Sequence, residues 1–219
     1  MKFNFGFFWE SLLDLAPYAL INLQLGTIAF VLAVTCGTLL TIVRSLKIAP
    51  INAVIGVFIS FIRGTPLIIQ IFLCFYALPS AGIDMGPMTA GIVAIALNSA
   101  VFISEIQRGS LRALDVGQLE AATALGLWPA LIWAKVILPQ LFRRIVPMLL
   151  NEATIVVKGT ALLSIITVVE LLRAAQQIGA ADFRPFEPLV GAALYFLVIN
   201  LVLATATDRV ERKIAAERR

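Results

Sequence analysis

Apolar residues in this chain come in runs too long for a soluble core, separated by short intervals that carry the charges. Residues 19–43 contain no Asp, Glu, Lys or Arg, and a helix of that length crosses a hydrocarbon layer of about 30 Å with some tilt. Further apolar runs cover 51–78, 88–107, 145–169 and 189–206. The pattern predicts an all-α integral membrane protein with five transmembrane helices and one domain over 1–219. Residues 1–18 mix Phe, Trp and Leu with Glu10 and Asp14, which predicts an outer interfacial segment, a short amphipathic helix lying at the membrane surface. They also lack an early apolar core, so no cleavable signal is expected.

The second run is interrupted by Arg63-Gly64-Thr65-Pro66. Pro66 removes a backbone hydrogen bond and Gly64 loosens the turn, so a kink or a short unwound segment is expected there. Such a break borders a transport site in some membrane proteins; the other reading is a fixed elbow whose free carbonyls are bonded by Arg63.

A longer interval, 109–140, separates the third and fourth runs and contains GQLEAATALGLWPALIWAKVILPQ, Gly117 to Gln140. Glu120 is placed in the first turn of a helix, where a carboxylate suits the positive end of the dipole. Ala121, Ala122 and Ala124 keep that helix thin, Gly126 offers a left-handed cap, Pro129 suits the first turn of a second helix and Pro139 ends it. The result is a rigid, low-profile knob, either a plain connection or a docking surface.

Composition agrees with the periodicity. The chain is 60% hydrophobic and 14% charged, against about 25% charged in soluble domains. The net charge of +4 matters through its placement, because Lys and Arg collect on the cytoplasmic side. Arg44 and Lys47 follow the first run, and Arg108, Arg112, Lys135, Arg143 and Arg144 follow the third. Arg209, Arg212, Lys213, Arg218 and Arg219 make up the tail. Residues 79–87 carry only Asp84, and in the fourth connection Arg173 and Arg184 are offset by Glu170, Asp182 and Glu187. This asymmetry predicts the N-terminus outside and the C-terminus in the cytoplasm.

Several chemistries are excluded. With no histidine in the chain, Ser-His-Asp triads and His-ligated zinc are ruled out. No G-x-x-x-x-G-K-[ST] phosphate loop occurs, so energy from ATP would have to enter through a partner. Cys36 and Cys74 lie inside apolar runs and read as small packing residues. No cofactor, metal or nucleic-acid partner is expected.

Polar groups within the runs are the candidate pathway, since they should turn away from lipid. Gly91, Asn98 and Glu105 recur every seven residues along the third run, on one face. Asn22, Gly26, Ala33, Gly37 and Thr41 form a small and polar stripe on the first, read foremost as close helix packing. Glu152 and Lys158 are about 240° apart on an ideal helix, too far round to pair with each other. Glu152 either holds the cation of a solute or pairs with a neighbouring span, Arg63 being the candidate. Together with Thr160, the candidate pathway residues are Arg63, Asn98, Glu105, Glu152, Lys158 and Thr160.

The hairpin resembles the EAA loop of bacterial ABC importer permeases, with Glu120-Ala121-Ala122, Gly126, then Val136 where the pattern has Ile, and Leu138-Pro139. The runs FIRGTPLIIQIF (61–72), ALNSAVFISEIQRG (96–109) and KGTALLSIITVVELLRAAQ (158–176) resemble the polar amino-acid subfamily of histidine, glutamine, arginine and opine permeases. Gly159 departs from the Lys-Asp-Thr of those relatives. The resemblance implies a type I ABC importer permease-like fold in a bacterial inner membrane. It also implies that Glu120, Ala121, Ala122, Gly126, Leu138 and Pro139 couple to an ABC ATPase subunit dimer. A second permease subunit, an extracytoplasmic solute-binding protein and a polar L-amino acid substrate are further implied. A stand-alone secondary transporter or channel is the alternative; no repeat between the chain's halves supports it.

Overall fold

A computed structural model describes residues 3–216; Arg218 and Arg219 of the basic tail lie outside the described residues. The described chain is helical, without strands, as the apolar periodicity predicts. The elements are α1 (Phe5–Ser45), α2 (Ala49–Gly64), α3 (Leu67–Ser80), α4 (Pro87–Arg112), α5 (Val116–Ala124), α6 (Pro129–Ile166), α7 (Leu171–Ala181) and α8 (Phe186–Ala216). By length and composition α1, α4, α6 and α8 are each able to cross a bilayer, and the α2–α3 pair makes up a fifth crossing if it counts as one.

Three boundaries differ from the sequence expectation. Residues 5–18 are not a separate surface helix but the opening turns of α1, whose 41 residues extend about 60 Å. Ser11 and Leu15 are buried in that part. Leu15 and Ala19 pack on Leu171, Ala174, Ala175 and Ala192 of α7 and α8, and the Tyr195 hydroxyl donates to the Leu12 carbonyl at 2.8 Å. One side of the segment thus packs on two helices of its own chain, while Phe5, Trp9 and Leu13 on the other side stay exposed.

The second difference is at the Arg63–Pro66 break, where α2 and α3 meet with a 114° bend. This is more than the kink the sequence implied, and 51–78 is two helices rather than one straight span. The third is that α6 runs through Pro139 and Pro147, so its helix starts at Pro129 rather than at 145. Proline lacks the N–H for an i→i−4 bond and crowds the carbonyl behind it. Here a π-turn at Trp133–Ile137 lets the Leu138 N–H reach the Trp133 carbonyl, widening the helix ahead of Pro139. The same device recurs in α3, where the Leu73–Ala77 π-turn precedes Leu78-Pro79.

The centre of the molecule is α1 against α4, with α6 and α8 beside them. The small-residue stripe of α1 is packing, as expected. A Cβ on Gly26 would stand 2.9 Å from Val157 of α6, and one on Gly37 would stand 2.7 Å from the Ala100 carbonyl of α4. Gly91 gives the same clearance to Leu163, which belongs to the central cluster with Leu25, Ile71, Ile95 and Ile166.

Candidate functional site

Two regions carry functional candidates: the α5–α6 hairpin and the polar groups among the long helices. In the hairpin, the Asp115 side chain accepts from the Gly117 N–H at 2.9 Å and starts α5. Glu120 is therefore in the second turn, not the first, and Asp115 supplies the negative group at the positive end of the helix. At the other end the Gly126 N–H bonds the Thr123 carbonyl and the Leu127 N–H bonds the Ala122 carbonyl, at 2.9 and 3.2 Å. That pair of bonds needs a left-handed residue, and Gly126 sits at φ +75°.

Ala122 points inward, into a small core with Ile132, Ile137, Leu114 and Leu119. Glu120, Ala121 and Ala124 are exposed. Around them Val116 is 67% exposed, Leu125 79% and Trp128 64%, an apolar rim on a polar interval. Leu138 is partly exposed and Pro139 exposed, both at the joint where the hairpin enters α6. Gln140 donates to Gln118 Oε1 at 2.6 Å, and Arg144 donates to the Ala113 carbonyl. These clamps tie the knob to α6, so a push on the hairpin would move that helix with it. Sequence reading missed both, because a Gln pair 22 residues apart leaves no periodic signal.

The six pathway candidates are not gathered into one site. Asn98 donates to Gln70 Oε1 at 2.9 Å, and Gln70 Nε2 donates to the carbonyls of Ile62 and Thr65 at 2.8 and 3.1 Å. The free carbonyls of the bend are thus bonded by Gln70, not by Arg63. Gln70 was legible only as one polar residue in LIIQIF.

Arg63 instead approaches Glu105 at 4.0 Å. Glu105 also takes Arg44 and, at 3.3 Å, Arg108, so one carboxylate joins the ends of α1, α2 and α4. Glu152, 5% exposed, hydrogen-bonds Ser99 of α4, and the proposed pairing with Arg63 is not made. Lys158 lies on the exposed side of α6, as the angular separation from Glu152 requires.

Thr160 belongs to a buried network. Asn22 Nδ2 donates to Thr160 Oγ1 at 2.8 Å and to Glu170 Oε2 at 3.1 Å, and Asn22 Oδ1 accepts from the Leu171 N–H at 2.8 Å. Glu170 in turn caps α7, accepting from the Leu172 and Arg173 N–H groups at 2.9 and 2.8 Å. Burial pushes its carboxyl above the usual carboxylate range, and these hydrogen bonds pull it back. Arg63 and Lys158 are the two pathway candidates left at the surface.

Comparison with known proteins adds the following. Residues 29–216 match the family described as binding-protein-dependent transport system inner membrane component. The chain is 36% identical over 218 residues to the glutamine transport system permease protein GlnP of Escherichia coli (strain K12), covering 98% of this chain and 99% of that one. It is 33% identical over 195 residues to the arginine transport system permease protein ArtQ of Bacillus subtilis (strain 168), covering 89% of each. A crystal structure of an amino acid ABC transporter with histidines superposes with a TM-score of 0.87 at 32% identity, over 97% of this chain and 100% of that one. An inward-facing methionine ABC transporter, MetNI, shares the fold at a TM-score of 0.66 and 22% identity, over 97% and 99% of the two chains.

Proposed function

Because this chain belongs to the family of inner-membrane components of binding-protein-dependent transport systems, we propose that it is the permease subunit of an ATP-driven importer for polar L-amino acids. The full-length likeness to amino-acid permeases supports that reading. The alternative of a stand-alone transporter or channel is set aside by membership in a family of multi-part systems. Relatives named for glutamine, arginine and L-cystine stand at 36%, 33% and 32% identity, so identity alone selects no single solute.

In this reading the chain crosses the inner membrane with its N-terminus outside and performs no hydrolysis itself. ATP is consumed by a partner ATPase dimer docked on the hairpin, and solute arrives on an extracytoplasmic binding protein. The observation carrying the coupling role is the apolar rim of Val116, Leu125 and Trp128 around Glu120, Ala121 and Gly126, rigidly tied to α6. A partner groove would take up that rim, and α6 would transmit the movement to Glu152 and Lys158.

A second permease subunit, identical or related, completes the pathway. Lys158 and Arg63 face that subunit or the solute; Glu152 attracts the ammonium group of the solute from inside the α4–α6 contact. Asn98, Glu105 and Thr160 act through structure, by holding the bend, the helix ends and α7.

The test is Gly126→Trp in the importer reconstituted with its ATPase and binding protein. Tryptophan at a left-handed position on the rim should leave the protein inserted and ATP hydrolysis running while uptake falls at least tenfold. Normal uptake would refute the coupling role.

A further inference from the structure

Outside the coupling hairpin and the candidate pathway, the ends of α1, α2 and α4 enclose an open cavity of about 480 Å³. Arg44, Lys47, Arg108 and Arg112 line it with Ser45 and Asn52, and no acidic side chain does. Glu105 beside it neutralises one charge through Arg44 and Arg108; Lys47 and Arg112 are exposed. The N-terminus of the 16-residue α2 opens at the same place with no side chain capping it, which adds partial positive charge. These features select a phosphate-bearing anion.

The surroundings select its source. From the cavity, Ile51, Val54, Phe58 and Phe61 run down one face of α2, and all four are exposed. Ten residues of helix span about 15 Å, a length of exposed apolar surface that acyl chains can lie against. A basic pocket continued by about 15 Å of exposed apolar helix matches the head and tails of one lipid. A free phosphate would use the pocket and leave the stripe bare.

We propose that this cavity is a binding site for an anionic phospholipid, with the phosphodiester held by Lys47, Arg112 and Arg108 and the acyl chains lying along α2. The inference rests on membrane embedding and is independent of the transported solute, so it stands or falls separately from the import assay.

The assembled importer would be studied by native mass spectrometry with phosphatidylglycerol, phosphatidylcholine or inorganic phosphate added. Saturable retention of phosphatidylglycerol over phosphatidylcholine is expected. Each basic residue near an anionic lipid contributes about fivefold, so the double variant Lys47→Asn/Arg112→Gln should bind roughly 30-fold more weakly. Asn suits the left-handed backbone at Lys47, φ +56°. A tail variant, Arg209→Gln/Arg212→Gln, should bind as the native protein does. If the double variant folds poorly, Lys47→Asn alone should still weaken retention about fivefold.

Equal retention of phosphatidylcholine, equal weakening in the tail variant, or displacement by equimolar inorganic phosphate would overturn the proposal. So would cross-linking of Val54→Cys to a second membrane subunit, which would make the stripe a protein interface.

Discussion

At the scale of single residues, Asn22 has the most connected environment. Its amide satisfies Thr160, Glu170 and the Leu171 N–H at once, joining α1 to the end of α6 and the start of α7. Losing a buried partner leaves each group unsatisfied at a cost of about 1–3 kcal/mol, less where membrane partners readjust. Asn22→Leu is therefore expected to lower the thermal midpoint of the purified protein by several degrees, read in a detergent melt, with Thr160→Val milder. A midpoint unchanged from the native protein would remove Asn22 from that role. Asn22 was visible in the sequence as part of a packing stripe. Its partners are 138 to 149 residues away, and no local pattern encodes such a pairing.

At the scale of elements, the α2–α3 elbow and the Pro139 joint make the same point from opposite sides. Gly64 and Pro66 announce a break, yet its sharpness depends on Gln70 turning back to bond the Ile62 and Thr65 carbonyls and on Asn98 holding Gln70 in place. Gln70→Leu should release both carbonyls and loosen the elbow. Faster amide hydrogen exchange over 62–70 would report it, while exchange in α6 stays unchanged; protection equal to the native protein would argue for an elbow set by Pro66 alone. Pro139 announces a stop, but the π-turn before it carries the helix through. The hairpin and α6 are consequently one mechanical piece, where the sequence suggested a loop followed by a span.

At the scale of the whole molecule, topology turns on the bent pair. If α2–α3 passes through the bilayer, five crossings place the termini on opposite faces and leave Asp84, between α3 and α4, outside, in agreement with the Lys and Arg distribution. If the pair returns to the face it left, the termini share one side. Asp84→Cys in a chain with Cys36 and Cys74 replaced by serine should react with a membrane-impermeant maleimide from the outside of intact cells. Reaction only after permeabilisation would reverse the assignment.

Apolar run length and charge placement determined that this chain is a helical membrane protein, and residue order alone carried the hairpin pattern and the family likeness. These are properties of neighbours along the chain: a span needs only consecutive apolar residues, and a cap needs only a glycine after a helix. The tertiary structure decided which polar groups are already committed. Glu105 goes to three arginines, Asn98 to Gln70 and Thr160 to Asn22, because an unsatisfied polar group in lipid is too costly to leave alone and its partner comes from whichever helix packing brings near.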